Sequence, residues 1–454
     1  MQNRYNFFPL LIFLMLGFAA FGLQAQVTIR ERTASGHVPS FQDPPRLVVG
    51  IMVDQMRFDY LTRFWHQFED GGFRRLVSEG YNCRDHHFNY APTSTGPGHA
   101  SVYTGTTPSG HGIIGNAWYD KGLDQQVYCV GDSTQTSVGT DTRAGAHSPH
   151  RMGVTTITDQ LRLHHQMRSK VIAVAIKDRG SVLPGGHLAN AAYWFEGGEK
   201  GHWISSSFYM DALPEWVRDF NASGAAESYR RTWDPLKNLN TYAESGLDDV
   251  PYESPFRGEA APVFPHDLPN LWEENGGFDI LKGTPYGNSL TLDFALEAIK
   301  AEELGADIIT DFLAISFSST DYVGHKFGVN SKEVQDTYMR LDRDLARLLE
   351  YLDRKVGKGE YTVFLTSDHG AGQVPAYLRD LKVPAGYLKT GEIQKKFQEF
   401  LRYTYGRTDI IRGQSNNQIF LDHQILNNLG LSLKEVQETL AAELTGYDGI
   451  HLVY

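Results

Sequence analysis

Four short runs of the chain are mainly apolar, and each stops at polar or ionisable residues. They are Leu47–Val53 before Asp54, Val171–Ile176 before Lys177-Asp178-Arg179-Gly180, Ile308–Phe317 before Ser318-Ser319-Thr320-Asp321, and Tyr361–Thr366 before Ser367-Asp368-His369. Unbroken Val/Ile/Leu/Phe runs of strand length predict strands buried on both faces. Helical patterns lie between them. One helix is expected within Phe58–Gly80, with Leu61, Phe64, Phe68, Phe73 and Leu76 on one side. Another is expected over Lys332–Arg354, with Val334, Met339, Leu341, Leu345, Leu348 and Leu352 at helical spacing. Strands alternating with amphipathic helices imply an α/β fold, a mostly parallel sheet sandwiched by helices. In such folds the residues just past the strand ends form the active site.

The stretch from about 187 to 286 changes character, being rich in Trp, Tyr, Phe, Gly, Pro and Asp without regular patterning. Within it, Ala191–Phe195 and His202–Tyr209 flank Gly197-Gly198-Glu199-Lys200-Gly201, which predicts a β-hairpin. The whole stretch is expected to be a cap inserted over the site. A further helix is expected over Leu433–Leu444.

Residues 1–25 read as a secretory signal peptide: Met-Gln-Asn-Arg, an apolar core Phe7–Phe21, then Leu23-Gln24-Ala25 as a small-residue cleavage site. A membrane anchor is the competing reading; the run is short for a span, and Pro9 and Gly17 interrupt it. Residues 26–454 are thus expected to be one exported catalytic domain, periplasmic or secreted, monomeric, and free of the membrane after cleavage. The two cysteines, Cys83 and Cys129, are an even pair in an exported chain, so a disulfide is one possibility that their spacing does not decide. A net charge of −12 argues against nucleic acid as a partner. It does not exclude an anionic substrate, because bound divalent cations dominate the field at such a site.

Ionisable residues gather just past the strand ends. Asp321 and His325 are four residues apart and can share one helix face, as a surface contact or as ligands of one metal. Asp368 and His369 fit a loop after a strand, where a buried charge is costly unless it coordinates something. Mixed Asp/His sets suit zinc, and two zinc ions about 4 Å apart activate a nucleophile and stabilise a leaving oxygen. Thr95 opens Thr95-Gly96-Pro97-Gly98-His99-Ala100-Ser101, which predicts the first turn of a helix. It reads as an N-cap, as a metal-activated nucleophile, or as both, since a helix N-terminus also receives phosphate. Lys177 and Arg179 are either exposed strand-end cations or ligands for a phosphoryl dianion, and Asn116, in Gly115-Asn116-Ala117, reads as a turn residue. His86, His87, His99 and His111 are expected to be structural or exposed.

Taken together, Asn89-Tyr90-Ala91-Pro92-Thr93-Ser94-Thr95-Gly96-Pro97-Gly98-His99-Ala100-Ser101, Tyr103-Thr104-Gly105-Thr106-Thr107-Pro108, Gly110-His111-Gly112-Ile113-Ile114-Gly115-Asn116, Lys177-Asp178-Arg179 and the two metal motifs resemble the alkaline phosphatase superfamily. Within it they resemble the phosphate-irrepressible, PafA-type alkaline phosphatases, from about Val48 onward. The resemblance implies a phosphomonoesterase that works through a phosphothreonine intermediate and uses two zinc ions. Asp54, Thr95, Asp368 and His369 would surround one zinc, with Thr95 the nucleophile, and Asp321 and His325 would bind the other. Asn116, Lys177 and Arg179 would hold the phosphate oxygens.

One departure stands out. The superfamily completes the Asp321/His325 site with a third histidine from a C-terminal segment. No such motif is in view here, and His423 sits in what reads as an edge strand, Ile419–His423. The expectation is that the C-terminal part of the domain is missing and this second site incomplete. Alternatives are a phosphodiesterase or nucleotide pyrophosphatase of the same superfamily, favoured by the aromatic cap, and a catalytically impaired relative that only binds metal or phosphate. A sulfatase is disfavoured because no Cys/Ser-x-Pro-x-Arg stands at the nucleophile.

Overall fold

The computed structural model describes residues 44–454, so the signal-peptide reading of 1–25 lies outside the described residues. Eleven strands occur among them, in chain order: β1 (Leu47–Val53), β2 (Ala117–Asp120), β3 (Gln125–Tyr128), β4 (Ser137–Val138), β5 (Val171–Ala175), β6 (Ala191–Glu196), β7 (His202–Ser206), β8 (Asp311–Phe317), β9 (Tyr361–Thr366), β10 (Ile411–Ser415) and β11 (Gln418–Leu421). Seven form the central sheet in the order β4-β7-β6-β5-β8-β1-β9, while β2/β3 and β10/β11 are separate hairpins.

The four apolar runs form the middle of this sheet and its β9 edge, with β5, β8, β1 and β9 all parallel to their neighbours. Alternate residues of each run serve opposite faces. Leu47, Val49, Ile51 and Val53 join Ile172, Val174, Leu313 and Ile315 in one core, packed under helices Pro285–Ala301 and Lys332–Leu352. Met52, Val171, Ala173, Phe312 and Ala314 form the other core, with Ala100 and Tyr103 of helix Thr95–Thr104 and Val182 and Leu183 of helix Asp178–Gly185. This two-sided burial is why β1, β5 and β8 carry no polar alternation, whereas β9, at the sheet's end and paired on one side, is only partly buried and departs from the expectation.

The register sets the site. Val53 pairs with Phe317, Met52 with Thr366, and Ala175 with Ser316. The residues that follow, Asp54, Lys177, Ser318–Asp321 and Ser367–His369, therefore emerge together at one sheet edge.

Several expectations need correction. The Phe58–Gly80 helix is broken into Tyr60–Arg63, a 3-10 turn at Trp65–Gln67, and Phe73–Glu79. The break at Gly71-Gly72 is a close packing point: a Cβ at Gly72 would lie 2.2 Å from the Asp342 carbonyl oxygen. The predicted hairpin forms, but β6 pairs in parallel with β5 and β7 antiparallel with β6, so 191–206 belong to the central sheet and not to a cap. Ile419–His423 is not one strand either. β11 ends at Leu421, Asp422 accepts a hydrogen bond from Ile425 N, and His423 opens a short helix, His423–Asn428. Helices Thr390–Tyr405 and Leu433–Thr445 pack with this region around a small core of Phe397, Leu401, Ile410, Leu426, Val436, Leu440 and Leu444. Cys83 is exposed, Cys129 is buried, and both are free thiols.

Candidate active site

Helix Thr95–Thr104 points its N-terminus at the sheet edge. Thr95 is its first residue and Ser94 stands at the cap position without a side-chain cap bond, so the N-cap reading of Thr95 does not hold. The helix approaches Asp368 closely because Gly98 faces it; a Cβ there would sit 2.3 Å from the Asp368 carbonyl oxygen. One turn on, His99 is fully buried. Its Nδ1 is 2.9 Å from the Thr95 carbonyl oxygen and 3.3 Å from Asp368 Oδ2, and its Nε2 is 2.9 Å from Ser316 Oγ. Of the structural and exposed roles open to it, His99 takes the structural one, tying the helix, β8 and Asp368 together.

Asp54, Asp368 and His369 offer ligand atoms that all lie within 4.8 Å of one another. His369 Nε2 is 3.4 Å from Asp54 Oδ1 and 3.9 Å from Asp321 Oδ1. Asp54 Oδ1 and Asp368 Oδ2 are buried and accept no hydrogen bond. A buried carboxylate oxygen without a donor is costly. Two of them beside an imidazole fit a divalent cation, and the mixed Asp/His set suits zinc. Burial opposes ionisation of Asp368 but is outweighed, chiefly by His99, so its carboxyl is held down at about 2. Burial lowers His369, yet the neighbouring carboxylates of Asp54 and Asp368 lift it to about 9.

Asp321 and His325 share a face of helix Ser319–Phe327, with Nε2 3.2 Å from Oδ1. Asp321 is buried and His325 mostly exposed. Lys177 joins the two acidic groups: its Nζ donates to Asp54 Oδ2 at 2.8 Å and to Asp321 Oδ2 at 2.6 Å. Burial lowers the Lys177 pKa, but these two carboxylates raise it beyond its ordinary value. Gln55 also escaped notice in the sequence. In the left-handed region (φ 63°), its backbone N–H donates to Asp368 Oδ1 and its Nε2 to Asp321 Oδ1. Its only sequence signal was its place directly after Asp54.

Asn116 stands just before β2, where its Oδ1 accepts the Gly96 N–H at 2.7 Å. Arg179 lies beside Tyr128 and Asp178. Of the remaining histidines, His111 is buried against Ser101, and His87 is exposed beside Asp85. His423 is exposed at the head of its own helix, in the C-terminal subcluster.

A family model for type I phosphodiesterase / nucleotide pyrophosphatase matches residues 48–453, nearly all of the described chain. The chain belongs to that family. Within it, the chain is 44% identical over 414 residues to a protein of Myroides odoratus named calcium-transporting ATPase, covering 90% of this chain and 75% of that one. It is likewise 44% identical over 403 residues to alkaline phosphatase PafA of Elizabethkingia meningoseptica, covering 88% and 73%. The crystal structure of wild-type PafA superposes with a TM-score of 0.86 at 42% identity, covering 92% of this chain and 79% of that chain. The parallel sheet and its helical layers are therefore those of an alkaline-phosphatase-like fold. No helix among the described residues is long and apolar enough to cross a membrane.

Proposed function

We propose that this member of the family is an exported phosphomonoesterase that uses two zinc ions and passes the phosphoryl group through Thr95. The observation that carries the reading is the convergence, at one sheet edge, of unpaired buried carboxylate oxygens with the N-terminus of helix Thr95–Thr104. The likeness to alkaline phosphatase PafA supports it. Export rests on the sequence of residues 1–25.

Asp54, Thr95, Asp368 and His369 would hold one zinc, and Asp321 and His325 the other. When bound, the pair would supply a lowered hydroxyl pKa and Lewis-acid stabilisation of the departing oxygen. The chain's own groups do the rest. Thr95 is placed by its helix, whose positive N-terminal end favours an anion. Asn116 fixes the Gly96 N–H next to the hydroxyl. Lys177 and Arg179 add positive charge matched to a monoester dianion, where a diester monoanion needs less. Lys177 reaches that role from between Asp54 and Asp321, whose charges it neutralises.

The test is a comparison of turnover on a monoester and a diester of the same alcohol, with zinc supplied and then removed by a chelator. Monoester preference that vanishes with the metal is expected. Diester preference would replace this reading with a phosphodiesterase. Tight metal binding without turnover of either ester would make the chain a binding relative only.

A further inference from the structure

Arg179 is held in an unusual way. Its Nη1 donates to the Tyr128 hydroxyl at 3.0 Å, and that hydroxyl donates onward to Asp178 Oδ1 at 2.5 Å. Asp178 Oδ2 lies 3.1 Å from His147 Nε2. The His147 ring sits between those of Tyr128 and Trp194, at centroid distances of 5.8 Å and 5.7 Å. Asp178 itself comes no nearer than 3.9 Å to the guanidinium. Four segments meet here: the end of β3, the loop that carries His147, the start of helix Asp178–Gly185, and Trp194 of β6.

A carboxylate forked directly onto a guanidinium would occupy two of its donors and cancel much of its charge. Here a phenol stands between them. Both Asp178 oxygens are taken by Tyr128, His147 and the Arg179 backbone N–H. The guanidinium is anchored at one nitrogen, and its charge stays available. Its Nε is buried and has no partner. A buried donor without an acceptor is costly, and an arriving phosphoryl oxygen would supply the acceptor.

We propose that Tyr128, Asp178 and His147 form a holder that fixes Arg179 for a phosphoryl dianion, making them positioning residues for monoester selectivity. This rests on the phosphomonoesterase reading. Tyr128 sets the guanidinium's direction, Asp178 accepts the Tyr128 hydroxyl hydrogen and so leaves its oxygen as an acceptor toward Arg179, and His147 fixes Asp178. In the sequence none of the three carried a signal for this: Tyr128 closes a short strand, His147 lies in a Gly/Ser/Thr-rich loop, and Asp178 passed as a spacer between two cations.

The test is Tyr128→Phe, which removes one oxygen, with Asp178→Asn as a second variant. Losing one hydrogen bond to a charged group should lower monoester kcat/KM about tenfold. Turnover of the diester of the same alcohol should hardly change, and in an Arg179→Ala background the Tyr128→Phe effect should disappear. Equal losses on both esters, or an undiminished loss without Arg179, would overturn the proposal. Hydrogen exchange of the Arg179 Nε–H, followed by NMR, decides the holder independently of catalysis. Exchange should be slow in the unaltered protein and fast in Tyr128→Phe; unchanged protection would overturn the holder even if the wild type hydrolysed no ester.

Discussion

The Lys177 ammonium lies 2.6 Å from Asp321 Oδ2, fully enclosed, and it reaches Asp54 with the same nitrogen. One lysine thus links the carboxylate groups of two candidate metal sites. Removing one partner of a buried ionic group costs about 3–5 kcal/mol. Lys177→Ala should therefore melt well below the unaltered protein when metal-free, and divalent zinc should restore much of the loss by taking over the neutralisation. Thermal unfolding with and without chelator checks this. Equal melting of both proteins in chelator would show that the lysine does not balance these acids.

His99 makes a second prediction. Groups that orient a metal ligand typically contribute 10–100-fold to metal affinity. His99→Ala should weaken zinc binding by about that range, because Asp368 loses the imidazole 3.3 Å away. Competition against a chromophoric chelator measures it. Unaltered affinity would confine His99 to packing.

The parts of the site that were legible in the sequence are those written in continuous apolar runs. A strand buried on both faces is mainly apolar, so its end is marked by the polar residues that follow, as at Val53-Asp54 and Phe317-Ser318. Asp54, Asp321, Asp368 and His369 are brought together by the parallel register. Gln55 and His99 were not legible, because a glutamine and a helical histidine have no distinctive spacing. Their roles depend on which backbone lies opposite. The β6/β7 hairpin was misassigned for a related reason. Its aromatic neighbours suggested a cap, although Ala191–Phe195 is itself an apolar run like the other central strands and pairs with β5. The small C-terminal core around Leu440 assembles residues from three helices and one hairpin, which no single periodicity announces.

A buried acid outside the site gives a pH prediction. Burial, reinforced by Glu333 and Asp248, raises the Glu253 carboxyl from 4.5 to about 9. Between these values the folded chain keeps a proton that the unfolded chain has lost. Stability contributed by Glu253 therefore falls as pH rises through this window, by up to about 1.4 kcal/mol per unit, and levels off above it. Glu253→Gln, neutral at every pH, should melt higher than the unaltered protein near pH 8, with the difference shrinking toward pH 5. A pH-independent difference would contradict the account.

The central claim is that Thr95 accepts the phosphoryl group. Its most direct test is to quench zinc-loaded protein in acid during turnover of a monoester and map phosphate by mass spectrometry. The account predicts phosphate on the peptide holding Thr95, none in Thr95→Ala, and a measurable fraction of turnover kept by Thr95→Ser, whose hydroxyl fills the same role. Full monoester turnover by Thr95→Ala, or phosphate on another residue, would contradict it.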